Sequence, residues 1–207
     1  MIHSRGYVKM VNTPGASKYL PWPTMKTSED FKREFYDKYV QNTADACIWA
    51  IIDKTVVSEE EPLTNYAGVI SLANTSTENA TTEIGIAVFP QFQRTHMASN
   101  AIGLVLLWTL DPPSKDGLGL RRVEWLTHSM NEGSRRVAER MGFELEGILR
   151  WQRALPEGAV GMSVAELERR NGTSEEKLGR HTAIYSIVWD EWEEKRPNVV
   201  EQMERRK

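Results

Sequence analysis

The segment Gln93-Arg94-Thr95-His96-Met97-Ala98 constrains this chain most. It follows a strand-like run from Ile84 to Phe89, closed by Pro90, and opens an apolar helix-like run from Met97 to Leu110. A strand that turns directly into a helix leaves unpaired backbone N–H groups facing solvent, with the helix dipole behind them. Such a ring binds phosphate oxygens. A second segment repeats the pattern. Val123 to Thr127 reads as a strand, Asn131-Glu132-Gly133-Ser134 as a polar turn, and a short helix ends at Gly142, before Phe143-Glu144-Leu145-Glu146-Gly147. Two adjacent strand-to-helix turns can hold a long ligand with a diphosphate at one end.

The rest of the chain alternates in the same way, which predicts an α/β layer structure rather than a bundle or a sandwich. After Leu20-Pro21-Trp22-Pro23, Thr27 and Ser28 offer a helix cap, and Phe31, Phe35 and Tyr39 line one face of an amphipathic helix. Cys47 to Ile52 and Tyr66 to Leu72 read as strands separated by a polar loop from Asp53 to Asn65. Asn74 to Thr82 reads as a polar turn, so Tyr66 to Leu72 and Glu83 to Phe89 are expected to form an antiparallel hairpin. The helix from Met97 carries apolar residues at 97, 101, 104, 105 and 108 for packing on a sheet face. Asp111 to Leu118 reads as a surface loop; Phe143 to Trp151 and His181 to Trp189 read as the last two strands. Between them, Pro156 to Gly179 is a long charged connection with room for a short helix at Val164 to Arg170. Loops of that length are uncommon unless they have a role; a solvated insertion is the other reading. Ahead of Leu20, only Gly6 to Val11 resembles a strand.

Composition narrows the classes. The 207 residues suit one domain over residues 1–207, with a core at about 20–192 and a tail over 193–207. A net charge of −3 lacks the basic footprint of a nucleic-acid binder. The single cysteine, Cys47, rules out an internal disulfide framework or a cysteine metal site, and its apolar surroundings suggest a small buried residue. No apolar leader or membrane-length run is seen, so Asn74, Asn79 and Asn171 read as chance glycosylation sequons. The expected setting is the cytoplasm, with the nucleus open.

The two turn segments together resemble the GNAT acyltransferase superfamily, in its ribosomal-protein alanine N-acetyltransferase branch. That family's diphosphate loop reads Q/R-x-x-G-x-G/A, and Gln93, Met97 and Ala98 stand in its frame. The later family motif is met by Asn131, Ser134, Gly142-Phe143 and Glu146-Gly147, and Ser186 to Trp192 matches the aromatic end of the last strand. The resemblance spans roughly Leu20 to Trp192. It implies a mixed α/β fold, with a mostly antiparallel sheet flanked by helices and a first strand that is shortened or missing. An unpaired edge strand would invite pairing with another chain. It also implies acetyl-CoA as co-substrate, no metal, and direct transfer to an amine. The acceptor would be a protein N-terminus, a lysine or a small amine, with no nucleic acid or membrane partner, on a monomer or homodimer.

By that resemblance, backbone N–H groups around Ala87 and Val88 would meet the thioester and pantetheine. Gln93, Arg94, His96, Met97 and Ala98 would hold the diphosphate, and Asn131 would hold the pantetheine arm. Ser134 would donate to the departing sulfur, because Ala138 stands where many relatives carry a tyrosine. Glu83 is the first candidate for the base and His128 the second, whose ordinary pKa suits base work near neutrality. Plainer roles stay open: Gln93 and Arg94 as surface polar residues, Asn131 as a helix cap, Ser134 as a small first-turn residue, Glu83 as a solvated strand end and His128 as a packed core histidine. Arg135, Arg136 and Arg140 read as a solvated helix face, and Trp22 and Trp151 as candidate acceptor-pocket walls. His96, in place of the family's central glycine, and Ala138 leave a second function open: a non-catalytic acyl-CoA-binding or regulatory module.

Overall fold

The computed structural model describes residues 2–22, 25–55 and 63–205. Pro23 and residues 56–62 of the expected Asp53–Asn65 loop lie outside them. Six strands form one sheet: β1 (Cys47–Ile52), β2 (Tyr66–Ser76), β3 (Thr81–Val88), β4 (Arg122–His128), β5 (Glu144–Ala154) and β6 (Gly179–Val188). Their spatial order is β1-β2-β3-β4-β6-β5, and every neighbouring pair is antiparallel except β3 and β4. The helices are α1 (Ile2–Val11), α2 (Ser28–Asp30) continued by a π-helix (Phe31–Gln41), α3 (His96–Leu110), α4 (Glu132–Arg140), α5 (Ala165–Asn171) and α6 (Trp189–Glu204). This is the mixed, mostly antiparallel α/β architecture expected.

Register sorts the side chains by face. Ile70, Leu72, Ile84, Val123, Trp125, Tyr185 and Ile187 share one face, and all are buried. Helices α3 and α4 pack there; Ser134 and Arg135 of α4 are bonded to Trp125 and Tyr185. Sealing a residue such as Val123 or Ile187 contributes about 1.5–3 kcal/mol. The opposite face is polar at its centre, with Glu83, Glu124, His128, Thr182 and Ser186.

Several expectations need correction. Gly6 to Val11 belongs to α1, not to a strand: Ser4, Tyr7 and Met10 are buried at a spacing of three, the repeat of a helix face. Gly6 lies against the Tyr66 ring, where an added Cβ would come within 2.7 Å. No strand precedes β1 among the described residues, so β1 is an edge strand. The Asn74–Thr82 stretch is mostly ladder rather than turn, because β2 runs to Ser76 and β3 begins at Thr81. Asn74 and Ala80 take left-handed φ values of 51° and 52°, and a register shift lies between Ala73 and Ser76.

The buried face of α3 also differs from the expected one. Leu104 is 62% exposed and Trp108 41%, while Ile102, Val105, Leu106 and Leu110 are buried. A helix apolar nearly all round does not reveal its inner face by periodicity; α6 decides it here. At Gly103 an added Cβ would come within 2.3 Å of Met203 Sδ, so α3 and α6 pack in close approach. Residues past Trp192, expected as a tail, continue α6 and bury Val199 and Gln202. The core therefore reaches beyond 20–192 at both ends. Asp111, expected in a surface loop, is 4% exposed and accepts from Trp192 Nε1 (2.7 Å) and from both sides of Arg196 (2.8 Å each). Cys47 is only half-buried, and its thiol pKa is raised by burial.

Candidate active site

The site begins where two strands part. β3 and β4 pair at Thr81–Arg122, Thr82–Val123 and Glu83–Glu124 only. Beyond Glu83, β3 is paired with β2 alone, and beyond Glu124, β4 is paired with β6 alone. The result is a cleft with free backbone on its walls. Phe89 N–H donates to the Ala67 carbonyl (2.9 Å), which sets the alternation along β3. Glu83, Gly85 and Ala87 therefore direct their backbone groups to β2, while Ile84, Ile86 and Val88 direct theirs to the cleft. Of the expected pair Ala87 and Val88, Val88 faces the cleft and Ala87 does not. Gln93 closes this edge from beyond the strand, its Nε2 donating to the Val88 carbonyl (3.1 Å).

At the end of β3 a turn of 3₁₀-helix (Pro90–Phe92) leads into the loop. The left-handed residue there is Arg94, with φ of 63°; His96 is the first residue of α3. The steric demand of the motif thus falls on Arg94, and replacing glycine by His96 carries no left-handed cost. Thr95 caps α3: its Oγ1 accepts from Met97 N–H (3.3 Å) and donates to the Phe92 carbonyl (2.6 Å). The N–H groups of His96, Met97 and Ala98 lie in the first turn, where a helix has no carbonyl partners of its own. Arg94 is exposed and His96 half-buried, within electrostatic reach of the buried carboxylate of Asp53.

The second turn stands across the cleft. Asn131 caps α4, its side-chain oxygen accepting from Ser134 N–H (3.2 Å). Ser134 Oγ accepts from Trp125 Nε1 (3.1 Å), which fixes the hydroxyl and leaves its proton to donate. Ala138 is fully buried under α4. The three arginines of this helix divide. Arg136 pairs with Glu132 at the surface, Arg135 donates to the Tyr185 hydroxyl (2.9 Å), and Arg140 reaches Ser99 on α3 (3.4 Å).

The polar face carries the ionisable groups. Glu83 accepts from Asn74 Nδ2 (2.7 Å) and is half-exposed by area, yet protein surrounds it on most sides. Burial raises its pKa; Asn74, Arg153 and Arg180 pull it down and Glu124 adds to the rise. Glu124 and Glu146 are tied to Arg122, whose fork meets both oxygens of Glu146 at 2.6 Å, and the Glu146 pKa falls to about 2. His128 is 1% exposed. Its Nδ1 accepts from Met130 N–H (3.1 Å), so the neutral ring carries its proton on Nε2. Burial, then Arg180, lowers its pKa, and the Val160 backbone opposes this. The ring packs against Tyr19 in a tilted arrangement, with centroids 5.3 Å apart. Trp22 packs on Phe35 and Tyr39; its loop and the segment at Pro156–Ala159 line one pocket.

Sequence reasoning missed Arg153 and Arg180. A bulge in β5 between Leu149 and Arg153 makes them cross-strand partners. Its centre is Trp151, with φ of 54°, whose N–H donates to His181 Nδ1 (2.9 Å) and whose ring covers Gly179. Arg180 is 6% exposed, its Nε has no hydrogen-bond partner among the described residues, and burial and Arg153 lower its pKa to about 10, with Glu83 opposing. An arginine opening an apolar strand was the only trace of it in the sequence. Among the described residues no three His, Cys, Asp or Glu side chains converge as a metal site, and no helix is long and apolar enough to cross a membrane.

Family and fold are shared with known proteins. The sequence pattern of the acetyltransferase (GNAT) domain family matches residues 3–144, well over half of the protein. The chain belongs to the GNAT acetyltransferase family. The solved structure of a GCN5-related N-acetyltransferase from Brucella melitensis superposes with a TM-score of 0.71 at 25% identity, covering 97% of this chain and 77% of that one. A spermidine N-acetyltransferase from Vibrio cholerae, solved with CoA and spermine, shares the fold at 14% identity (TM-score 0.65, 92% of each chain). Among curated proteins none matches the sequence. This GNAT protein is thus an acetyl-CoA-dependent N-acetyltransferase by family and fold.

Proposed function

We propose that this acetyltransferase moves the acetyl group of acetyl-CoA directly to a primary amine, on a protein N-terminus, a lysine or a small molecule, as in the ribosomal-protein alanine N-acetyltransferase branch it resembles. The observation that carries the reading is the parting of β3 and β4 at Glu83, with the N-termini of α3 and α4 opening on the same cleft. In this reading the first turn of α3 and Arg94 hold the diphosphate. The cleft-facing N–H groups of Ile86 and Val88 pair with the pantetheine and polarise the thioester carbonyl. Asn131 orders the turn that presents Ser134.

The amine nitrogen attacks the thioester carbon and the C–S bond breaks. The proton lost by the amine passes to Glu83, directly or through a water, while the Ser134 hydroxyl donates a hydrogen bond to the departing thiolate, which leaves as CoA–S⁻ and takes its proton from solvent. Glu83 suits the base because burial raises its pKa. His128 suits it less: it is sealed, with its ring proton on the only free nitrogen. We place the enzyme in the cytoplasm as a monomer or homodimer. The test is an acetyl-CoA consumption screen against peptide and small-amine panels. Turnover with at least one primary amine is expected, and CoA binding without turnover of any amine would instead favour the non-catalytic module.

A further inference from the structure

Four buried side-chain atoms have no hydrogen-bond partner among the described residues: Tyr66 Oη, His128 Nε2, Arg180 Nε and Thr182 Oγ1. Three of the four are neighbours. His128 and Thr182 are cross-strand partners on β4 and β6, and Arg180 stands two residues from Thr182 on the same face. All three can donate. Arg180 Nε always carries hydrogen, Thr182 has a hydroxyl, and His128 has its proton on Nε2 because Nδ1 accepts from Met130. His128 lies towards the Val160 backbone, whose hydrogen bonding raises its pKa, so the adjacent orphans that need a reason are Arg180 Nε and Thr182 Oγ1.

The charge around them is mixed, with the Glu83 carboxylate among the arginines. Arg122 is taken up by Glu124 and Glu146, both ion-paired to it. That leaves Arg153 and Arg180, cross-strand partners with no ion pair among the described residues, placed side by side by the bulge at Trp151. Both act electrostatically on Glu83. The donors therefore border the carboxylate that the proposed reaction uses on the amine. Arg153 is exposed and gives a ligand its approach; the loop at Lys18–Tyr19 and the segment at Val160, joined by a Val160 N–H to Lys18 carbonyl bond (3.0 Å), lie against His128.

We infer that the acceptor carries an anionic group, a carboxylate or a phosphate, beside its amine, and that Arg180 and Arg153 bind that group while Glu83 faces the amine. This deepens the proposed function and rests on it. An unpaired arginine pair attracts an oxyanion through charge-assisted, fork-shaped hydrogen bonds and repels a polycation. It therefore disfavours polyamines as acceptors on this protein. Thr182 supplies a further neutral donor beside Arg180.

The experiment compares matched acceptors by steady-state turnover and by calorimetric titration into the CoA-saturated protein. The panel pairs glycine, β-alanine, 4-aminobutyrate, glutamate and alanine each with its primary amide, and O-phosphoethanolamine with ethanolamine; spermidine is the cationic reference. The expected result is a kcat/KM (or, without turnover, an affinity) about 10- to 100-fold higher for the anionic member of at least one pair. The carboxylate and phosphate arms tell the two sources apart. Arg180→Gln and, independently, the exposed Arg153→Gln should remove that preference, read as the ratio of kcat/KM between the two members of a pair, with CoA affinity within about twofold, and Arg180→Lys should restore part of it. Equal or better use of the neutral member in every pair, spermidine as best acceptor, or a preference that survives both variants would overturn the inference. Turnover of neutral amines with no anionic preference sinks this inference alone, whereas a protein that binds no CoA sinks the proposed function itself.

Discussion

Burial lifts the Glu83 carboxyl above the ordinary glutamate range, and this sets function against stability at one side chain. A raised folded pKa means that the contribution to stability is fully present below the unfolded value of about 4.3 and is lost as pH rises through the folded value. At pH 8 the wild type carries that loss. Glu83→Gln removes it, so thermal melting at pH 8 should be no lower than wild type, while turnover at pH 7 falls by about 10²-fold. The deficit should shrink at high pH, where more of the amine is already neutral, and CoA affinity should stay unchanged. A variant with the wild-type pH–rate profile would show that Glu83 is not the base and would turn attention to His128→Gln. Ser134 is the other residue to test. Its hydroxyl is oriented by Trp125 and free to donate, so Ser134→Ala should lower kcat more than it raises KM for acetyl-CoA, as expected when an interaction specific to the transition state is lost. Unchanged kcat would reduce it to a packing partner of Trp125. Glu83 and Ser134 were legible as residue types at motif positions. Arg180 and Thr182 were not, because their meeting with His128 depends on strand register and on a bulge at Trp151 that no local pattern marks.

At the scale of elements, the loop from Gln93 to Ala98 and the turn at Asn131 were readable because each is a local event: a strand end, a cap and a helix start. Which residue bears the left-handed backbone was not readable, since the glycine position of the motif pointed to His96 and the strain sits on Arg94. Arg94→Gly should therefore leave stability unchanged or raise it by up to about 1 kcal/mol in urea unfolding, while CoA binding weakens by about tenfold through loss of the guanidinium. A loss of stability would mean that the side chain holds the loop. The junction of α3 and α6 offers a second test. Asp111 receives Trp192 and Arg196 in a nearly closed site, and Arg196 above all lowers its pKa. A depressed pKa gives stability that is present above the unfolded value of about 3.9 and lost as pH falls through the folded one. Asp111→Ala should cost about 2–4 kcal/mol at pH 7, because it strands the Trp192 N–H and the charge of Arg196, and the cost should diminish as the pH approaches 3. A cost independent of pH would assign the role of Asp111 to packing.

For the whole molecule, the alternation of strand and helix patterns was enough to predict a mixed sheet flanked by helices. The ends of the chain were not legible. α1 reads as strand-like at Gly6 to Val11 because Tyr7, Val8, Met10 and Val11 crowd together there, although Tyr7 and Met10 enter the core at helical spacing; residues 193–207 read as a tail, although α6 continues through them and packs Met203 against Gly103 of α3. The parting of β3 from β4 was not visible in the residue patterns, since both strands continue regularly after their pairing stops at Glu83 and Glu124; only the family resemblance implied a splayed strand around Ala87 and Val88. That parting is the centre of the account, because it frees the backbone that would meet the pantetheine and brings two helix N-termini to one cleft. Isothermal titration of CoA into the wild-type protein and into the Arg94→Asp/His96→Asp double variant tests it most directly. The account predicts saturable binding of one CoA per chain by the wild type, weakened at least tenfold in the double variant, whose two carboxylates would face the diphosphate. A wild-type protein that binds no CoA, or a double variant that binds it equally well, would contradict it.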